Sequence, residues 1–339
     1  LVASNMSVST KPIVAVNMGD PTGIGPEIVL KAMALEEVYR HARPLVVGDF
    51  GVMQSVQRFA PVELRRIEKV AEARFQYGTV EVLDLANVDL SELKVGQMQA
   101  MGGQAFAEAS KKGVELAFAG EVHGVLVGPH NKAAMYAAGW HFDGPGLLAH
   151  LTGIEVGRVA FMLCVGPMRV VGVTHHASLR NALDQITRER VLWTIEKAHQ
   201  GAQLMGVQKP RIAVVGVNPH AGEDGIFGSE EIEIIGPAIQ DARARGIEAE
   251  GPFPADGIFV GAEDGPYDCY VSMYHDQGHL PTKVLGKRRV AAVMVGAPVV
   301  YGTVGHGTAF EVAGKGIADP ASVVEGLKLI AQAARSGMK

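Results

Sequence analysis

Cysteine is almost missing from this chain. Cys164 and Cys269 are the two in 339 residues, far apart and outside any CxxC, which argues against a disulfide framework or a structural zinc cluster. Long apolar runs are missing too: none reaches the ~18 residues that span a bilayer. The opening "LVASNMSVSTK" has neither the basic start nor the long apolar core of a secretory signal. Met6 reads as the natural start, residues 1–5 as a cloning remnant, and the chain as cytoplasmic. An excess of positive charge is also lacking. With 31 Lys and Arg against 36 Asp and Glu, the net charge is −5, with no long run of either sign. That excludes the basic footprint expected for a nucleic-acid or anionic-membrane partner and leaves a small molecule.

What is present is enough apolar residue, 47%, to bury a substantial interior, in a chain long enough for one large or two ordinary domains. Short β-branched runs alternate with longer segments of helical period, the pattern of an α/β protein with a largely parallel sheet. "IVAVNMG", "PLVVGD", "VEVLDL", "GVLVGP", "RIAVVGV" and "YDCYVSMYH" read as strands. After "DPTGIG", Pro26 suits a first helical turn, and Ile28, Ala32, Leu35 and Tyr39 follow at helical spacing. "RVAFMLCVGPMRVVGVTHH" reads as an antiparallel hairpin about Gly-Pro. In "SEEIEIIGPAIQDARARG", Ser229 is placed to cap a helix whose dipole Glu230 and Glu231 complement.

Three histidines share a position type. His176, His220 and His275 each follow a buried strand, where α/β proteins bind ligands. Three imidazoles suit a borderline divalent metal and leave a coordination position for substrate. Neighbouring His175 and His279 are alternatives that spacing does not rank. Two Gly-rich loops, "MGDPTGIGPE" (18–27) and "GHGTAFEVAGKGIADP" (305–320), are neither GxGxxG nor a P-loop; the first joins a strand to a helix and can turn backbone N–H groups to an anion. Lys283 lies in "HDQGHLPTK", eight residues beyond His275.

Together "MGDPTGIGPEI", "NPHAGE", "MYHDQG" and "HGTAFEVAGKG" resemble the 4-hydroxythreonine-4-phosphate dehydrogenase (PdxA) family, over about residues 12–335. The resemblance implies a two-domain α/β/α fold like that of isopropylmalate dehydrogenase, with the active site in the interdomain cleft. Residues 12–135 with 291–339 would form the NAD-binding side. Residues 136–290 would carry the metal ligands and the dimer interface. It implies a homodimer in which His176, His220 and His275 bind a divalent metal, one of them arriving from the second subunit. Zinc, cobalt or manganese suit three histidines better than magnesium. It implies NAD as cofactor, bound by Gly19, Asp20, Gly23 and Gly25 of the first loop and by His306, Gly307, Thr308, Ala309 and Asp319 of the second. Lys283 and Asp276 become the catalytic candidates.

Departures from the family pattern concern substrate. Where the phosphothreonine enzymes carry Gly-His-Thr-Glu, this chain reads "GPGL", so Pro145 and Gly146 replace His and Thr. The Asn and Arg that follow the substrate-binding lysine, Lys283 here, become Ala292 and Tyr301. Tyrosine cannot replace an arginine's charged fork. These losses, with "HDQGH" and "VGHGTA", resemble the family branch that oxidises the cis-dihydrodiol of terephthalate. The expectation is therefore a metal- and NAD-dependent oxidative decarboxylase of an aromatic dihydrodiol. The alternatives are the phosphothreonine dehydrogenase itself, a phosphate acyltransferase of related fold, and a non-catalytic nucleotide- or metal-binding relative.

Overall fold

The computed structural model describes residues 11–287 and 289–337; the reading of residues 1–5 and Met6 falls outside them. The first five strands are β1 (Ile13–Asn17), β2 (Arg43–Gly48), β3 (Glu63–Ile67), β4 (Thr79–Asp84) and β5 (Gly124–Val127). Next come β6 (Ala160–Val165), β7 (Met168–Gly172), β8 (Arg211–Val215), β9 (Glu248–Phe253) and β10 (Cys269–Ser272). The chain then returns through β11 (Ala291–Val295) and β12 (Tyr301–Val304). All join one sheet, in the order β3-β4-β2-β1-β5-β12-β11-β6-β7-β10-β8-β9.

Pairing is parallel from β3 to β12 and again from β7 to β9. Between these blocks β11 runs antiparallel to both β12 and β6, and β6 antiparallel to β7. The hairpin read from the sequence is β6–β7, with Val165 opposite Met168 across Gly166-Pro167. Strands such as β1 and β8 are buried along most of their length, as expected where helices cover both faces of a parallel sheet. The long return places β11 and β12 in the middle of the sheet, beside strands drawn from the centre of the chain.

The helices that matter for the site begin with α1 (Gly25–Met33) and α2 (Glu36–His41). The spacing of Ile28, Ala32, Leu35 and Tyr39 suggested one helix, but α1 ends at Met33 and Leu35 is 40% exposed with extended backbone. Apolar period alone does not encode that break. Further along lie α3 (Phe50–Val56), α4 (Ala100–Phe118), α5 (Lys132–Ala137) and α6 (Gly144–Thr152). They are followed by α7 (Leu179–Asp184), α8 (Arg188–Leu204), α9 (Gly236–Ala244), α10 (Ala255–Ile258), α11 (His275–Gly286) and α12 (Ala321–Gly337). Among the described residues no helix is long and apolar enough to cross a membrane.

Candidate active site

The antiparallel centre of the sheet makes a floor. Alternate residues of a strand share a face, and Phe161 sits opposite Met294 as Leu163 sits opposite Ala292. Ala292 in turn faces Thr303, and Tyr301 lies two residues along on the same side. Above this floor is a cavity of about 370 Å³. Its walls come from four places: His130 and Lys132 after β5, Asp143 to Pro145 at the start of α6, His175 and His176 after β7, and one face of α11.

Two of the three expected metal histidines meet here. The rings of His176 and His275 are 5.5 Å apart, centroid to centroid. His275 is the first residue of α11, three past β10, so His279 comes one turn later on the same face and stacks at 3.8 Å. The Nδ1 of His275 is 2.7 Å from the Asp276 carboxylate, which holds the proton on Nδ1 and leaves the Nε2 lone pair free. Burial, then the Lys132 ammonium, then His275 hold His176 below the usual imidazole value. Burial first, with His275 and Lys283 adding, pushes His279 down to about 3, and its Nδ1 is buried without a partner. Burial likewise brings His175 to about 4, its ring edge-on to Phe161. Neutral imidazoles are the form that accepts a divalent cation, so the donor chemistry fits a metal.

His220 does not line this cavity. It stands on an exposed turn where His220, Ala221, Glu223 and Asp224 all have positive φ, a conformation that L residues rarely adopt. Its Nδ1 lies 2.5 Å from the Glu223 carboxylate, the same arrangement as in His275. What fixes the turn is Glu231. Its Oε1 accepts the N–H groups of Val217 and Asn218 at 2.7 and 2.8 Å, and its Oε2 accepts Asn218 Nδ2 at 2.9 Å. Glu230 accepts from the same amide at 2.6 Å. The acid pair read as complementing a helix dipole therefore folds back to hold the Asn-Pro-His turn. Ser229 gives its carbonyl, not a side-chain cap, to the π-helical turn Glu231–Ile235 that follows. Among the described residues of one chain, no three His, Cys, Asp or Glu side chains converge as a metal-binding set.

A second cavity, of about 580 Å³, shares Gly305–Gly307 with the first. Of the residues expected to bind cofactor, His306, Gly307, Ala309 and Asp319 line it. Gly19, Asp20, Gly23, Gly25 and Thr308 do not; they pack behind it. A Cβ on Gly25 would sit 2.5 Å from the Met18 carbonyl, and one on Gly23 2.7 Å from Thr308 Cβ. These glycines permit close backbone approach, and Ile24 N–H donates to the Thr308 carbonyl at 3.0 Å. Asp20 is buried; Thr22 bonds its Oδ1 through N and Oγ1 while burial raises its pKa. The first loop thus braces the second instead of presenting its own amides.

The expected substrate contacts divide as well. Pro145, Lys283 and Tyr301 line the first cavity, while Gly146 lies behind the wall with its N–H on Asp143 Oδ1 at 2.8 Å. Ala292 is wholly buried in the floor. Asp276 is beside His275 but not on the cavity wall. Sequence reasoning missed His130, stacked on Phe106 at 4.3 Å, and with it Lys132 and Asp143. The signal was "GPHNK" directly after β5, the same strand-end placement that singled out the other histidines.

Residues 40–330 match the family described as pyridoxal phosphate biosynthetic protein PdxA. The chain is 43% identical over 321 residues to D-threonate 4-phosphate dehydrogenase of Cupriavidus necator, covering 94% of this chain and 96% of that protein. A crystal structure of a 4-hydroxythreonine-4-phosphate dehydrogenase from Burkholderia phymatum is 40% identical, with a TM-score of 0.83 over 95% of this chain and 98% of that one. The terephthalate 1,2-cis-dihydrodiol dehydrogenase of Burkholderia xenovorans stands further off, at 34% identity and a TM-score of 0.65 over 95% and 98% of the two chains. These likenesses overturn the expectation of a dihydrodiol substrate, and the decarboxylation attached to it falls with it. The missing arginine does not exclude a phosphoester, because two lysines, Lys132 and Lys283, line the same cavity.

Proposed function

The chain belongs to the PdxA family, and from that premise we propose that it is an NAD-dependent dehydrogenase oxidising a hydroxyl of a phosphorylated four-carbon hydroxy acid. The observation that carries this reading is the shared wall Gly305–Gly307. It joins a cavity fit for a dinucleotide to one lined by His176, His275 and two lysines. A nicotinamide reaching past His306 would meet a hydroxyl held over the sheet floor, the proximity that hydride transfer needs. Asp319 and Ala309 would face the adenosine side. Asp276 keeps His275 in one tautomer, and Lys283, two turns along α11 from His275, offers its ammonium to a substrate carboxylate or its proton. A divalent cation, zinc in this reading, would polarise the substrate hydroxyl as a Lewis acid.

His176 and His275 would hold that cation from one chain and His220 from a second, making the enzyme a homodimer. Support comes from the exposed position of the His220 turn and the apolar surface around it, where Ile226 is 73% and Ile232 57% exposed. On this reading residues 12–135 and 291–339 form the cofactor side, residues 136–290 carry the three histidines, and the enzyme works in the cytoplasm.

The test is steady-state kinetics with D-threonate 4-phosphate and 4-hydroxythreonine 4-phosphate, each with NAD or NADP, with and without zinc. We expect NADH formation that a chelator abolishes and zinc restores. Turnover of neither phosphoester, or turnover indifferent to chelator, would overturn the reading.

A further inference from the structure

Two lysines stand in the substrate cavity without a partner. Lys132 begins α5 on one wall, and Lys283 lies on α11 on another. Among the described residues, neither ammonium has a hydrogen bond or an ion pair. Among the described residues, Asp143 is the single carboxylate lining the cavity and already accepts the Gly146 N–H, and no arginine lines it. The lining residues thus place two unmatched positive charges around a space of about 370 Å³. Both lysine side chains are exposed where they line the cavity, and unmatched cations of one sign around a cleft draw an anion to it.

The positions where the family resemblance calls for asparagine and arginine cannot do this work. Ala292 has no polar atom, and Tyr301 is buried in the floor with its hydroxyl directed to Ser110. Lys283 shares α11 with His275 and His279, so it belongs to the end of the site where the chemistry happens. Lys132 comes from the other side of the cleft. It is exposed to solvent and lines the same cavity as His176 and His130. A substrate carrying a carboxylate at one end and a phosphate at the other needs two cations set apart.

We infer that Lys132 is the phosphate-binding cation of this site, filling from α5 the role left open by the tyrosine at 301. The inference deepens the proposed function and rests on it. A lysine gives phosphate a point charge where arginine gives a planar fork, so the site should tolerate variation in phosphate orientation.

The experiment compares D-threonate 4-phosphate with unphosphorylated D-threonate as substrates of the zinc- and NAD-loaded enzyme. The proteins are wild type, Lys132→Ala, Lys132→Arg and Lys283→Ala. A charge-assisted hydrogen bond is equivalent to roughly 10- to 100-fold in affinity. The ratio of kcat/KM for the phosphorylated over the plain acid should therefore fall by about that factor in Lys132→Ala, through KM, and recover largely in Lys132→Arg. An unchanged ratio in Lys132→Ala, or its collapse in Lys283→Ala alone, would overturn the assignment. If wild type oxidises no phosphorylated hydroxy acid, the proposed function fails. Calorimetric titration with inorganic phosphate then still decides the lysine: binding lost in Lys132→Ala supports it, and equal or absent binding in both proteins refutes it.

Discussion

Glu27 Oε1 accepts the backbone N–H of Ala318 at 2.9 Å, joining α1 to a loop near the other end of the chain. Its Oε2 accepts the Gly316 N–H at 3.1 Å. Lys31, one turn on, bridges back to the carbonyls of Gly316 and Ala318 at 2.8 and 2.9 Å while pairing with Glu27 at 2.7 Å. Ile317, Ala318 and Asp319 wall the dinucleotide-sized cavity, so this buried pair sets the position of that wall. The motif "GDPTGIGPE" therefore reaches the cofactor side through Ile24, which lines the cavity, and through Glu27, rather than through its glycines.

Replacing Glu27 with Gln leaves Lys31 without its counter-charge and should cost about 3 kcal/mol of stability. NAD affinity should weaken about tenfold, while inorganic phosphate binding holds. Urea unfolding and nucleotide titration of the same protein read both effects. Destabilisation with wild-type NAD affinity would show that the pair serves the fold alone.

Glu231 orients His220 without touching the main cavity. Glu231→Ala should lower zinc affinity about 10- to 100-fold, the usual cost of losing a group that orients a metal ligand. Competition against a chromophoric chelator measures this directly, and NAD titration controls for global damage. Equal zinc affinity in the variant would remove Glu231 from the metal site.

A metal site completed across two subunits has a sharp signature. His176→Ala and His220→Ala should each be inactive. Mixed subunits should recover about a quarter of wild-type activity, because half of the random dimers hold one intact site of two. A mixture as silent as its components would mean that the ligands do not come from different chains.

Burial first, and then Lys132, bring His130 from 6.5 down to about 4. As pH falls, the unfolded chain takes up this proton first, so stability is full above about 6.5 and declines toward about 4. The loss is up to about 3 kcal/mol from this one ring. His130→Phe, which keeps an aromatic partner for Phe106, should show a shallower decline across the same window in urea unfolding. Identical pH slopes for the two proteins would show that His130 titrates normally.

Much of the fold was legible because buried parallel strands read as short continuous apolar runs, as in "IVAVN" and "RIAVV". The Gly166-Pro167 hairpin was legible from turn chemistry. Less visible were β11 and β12, apolar segments whose place in the middle of the sheet depends on partners far away in sequence. At the site, residue type and strand-end position pointed to His176 and His275, whose rings do meet. The same reasoning pointed to Gly19, Gly23 and Gly25 as anion-facing, whereas the chain uses them to let backbones approach.

Residue identity and periodicity pointed to the fold class, and the four motifs pointed to the family. Tertiary structure decided which groups share a space: Lys132 with His176, Glu27 with Ala318, and His220 apart from both. The physical reason is that periodicity is a local property of the backbone. Convergence is a sum over strand ends and long returns, and no window of sequence contains it.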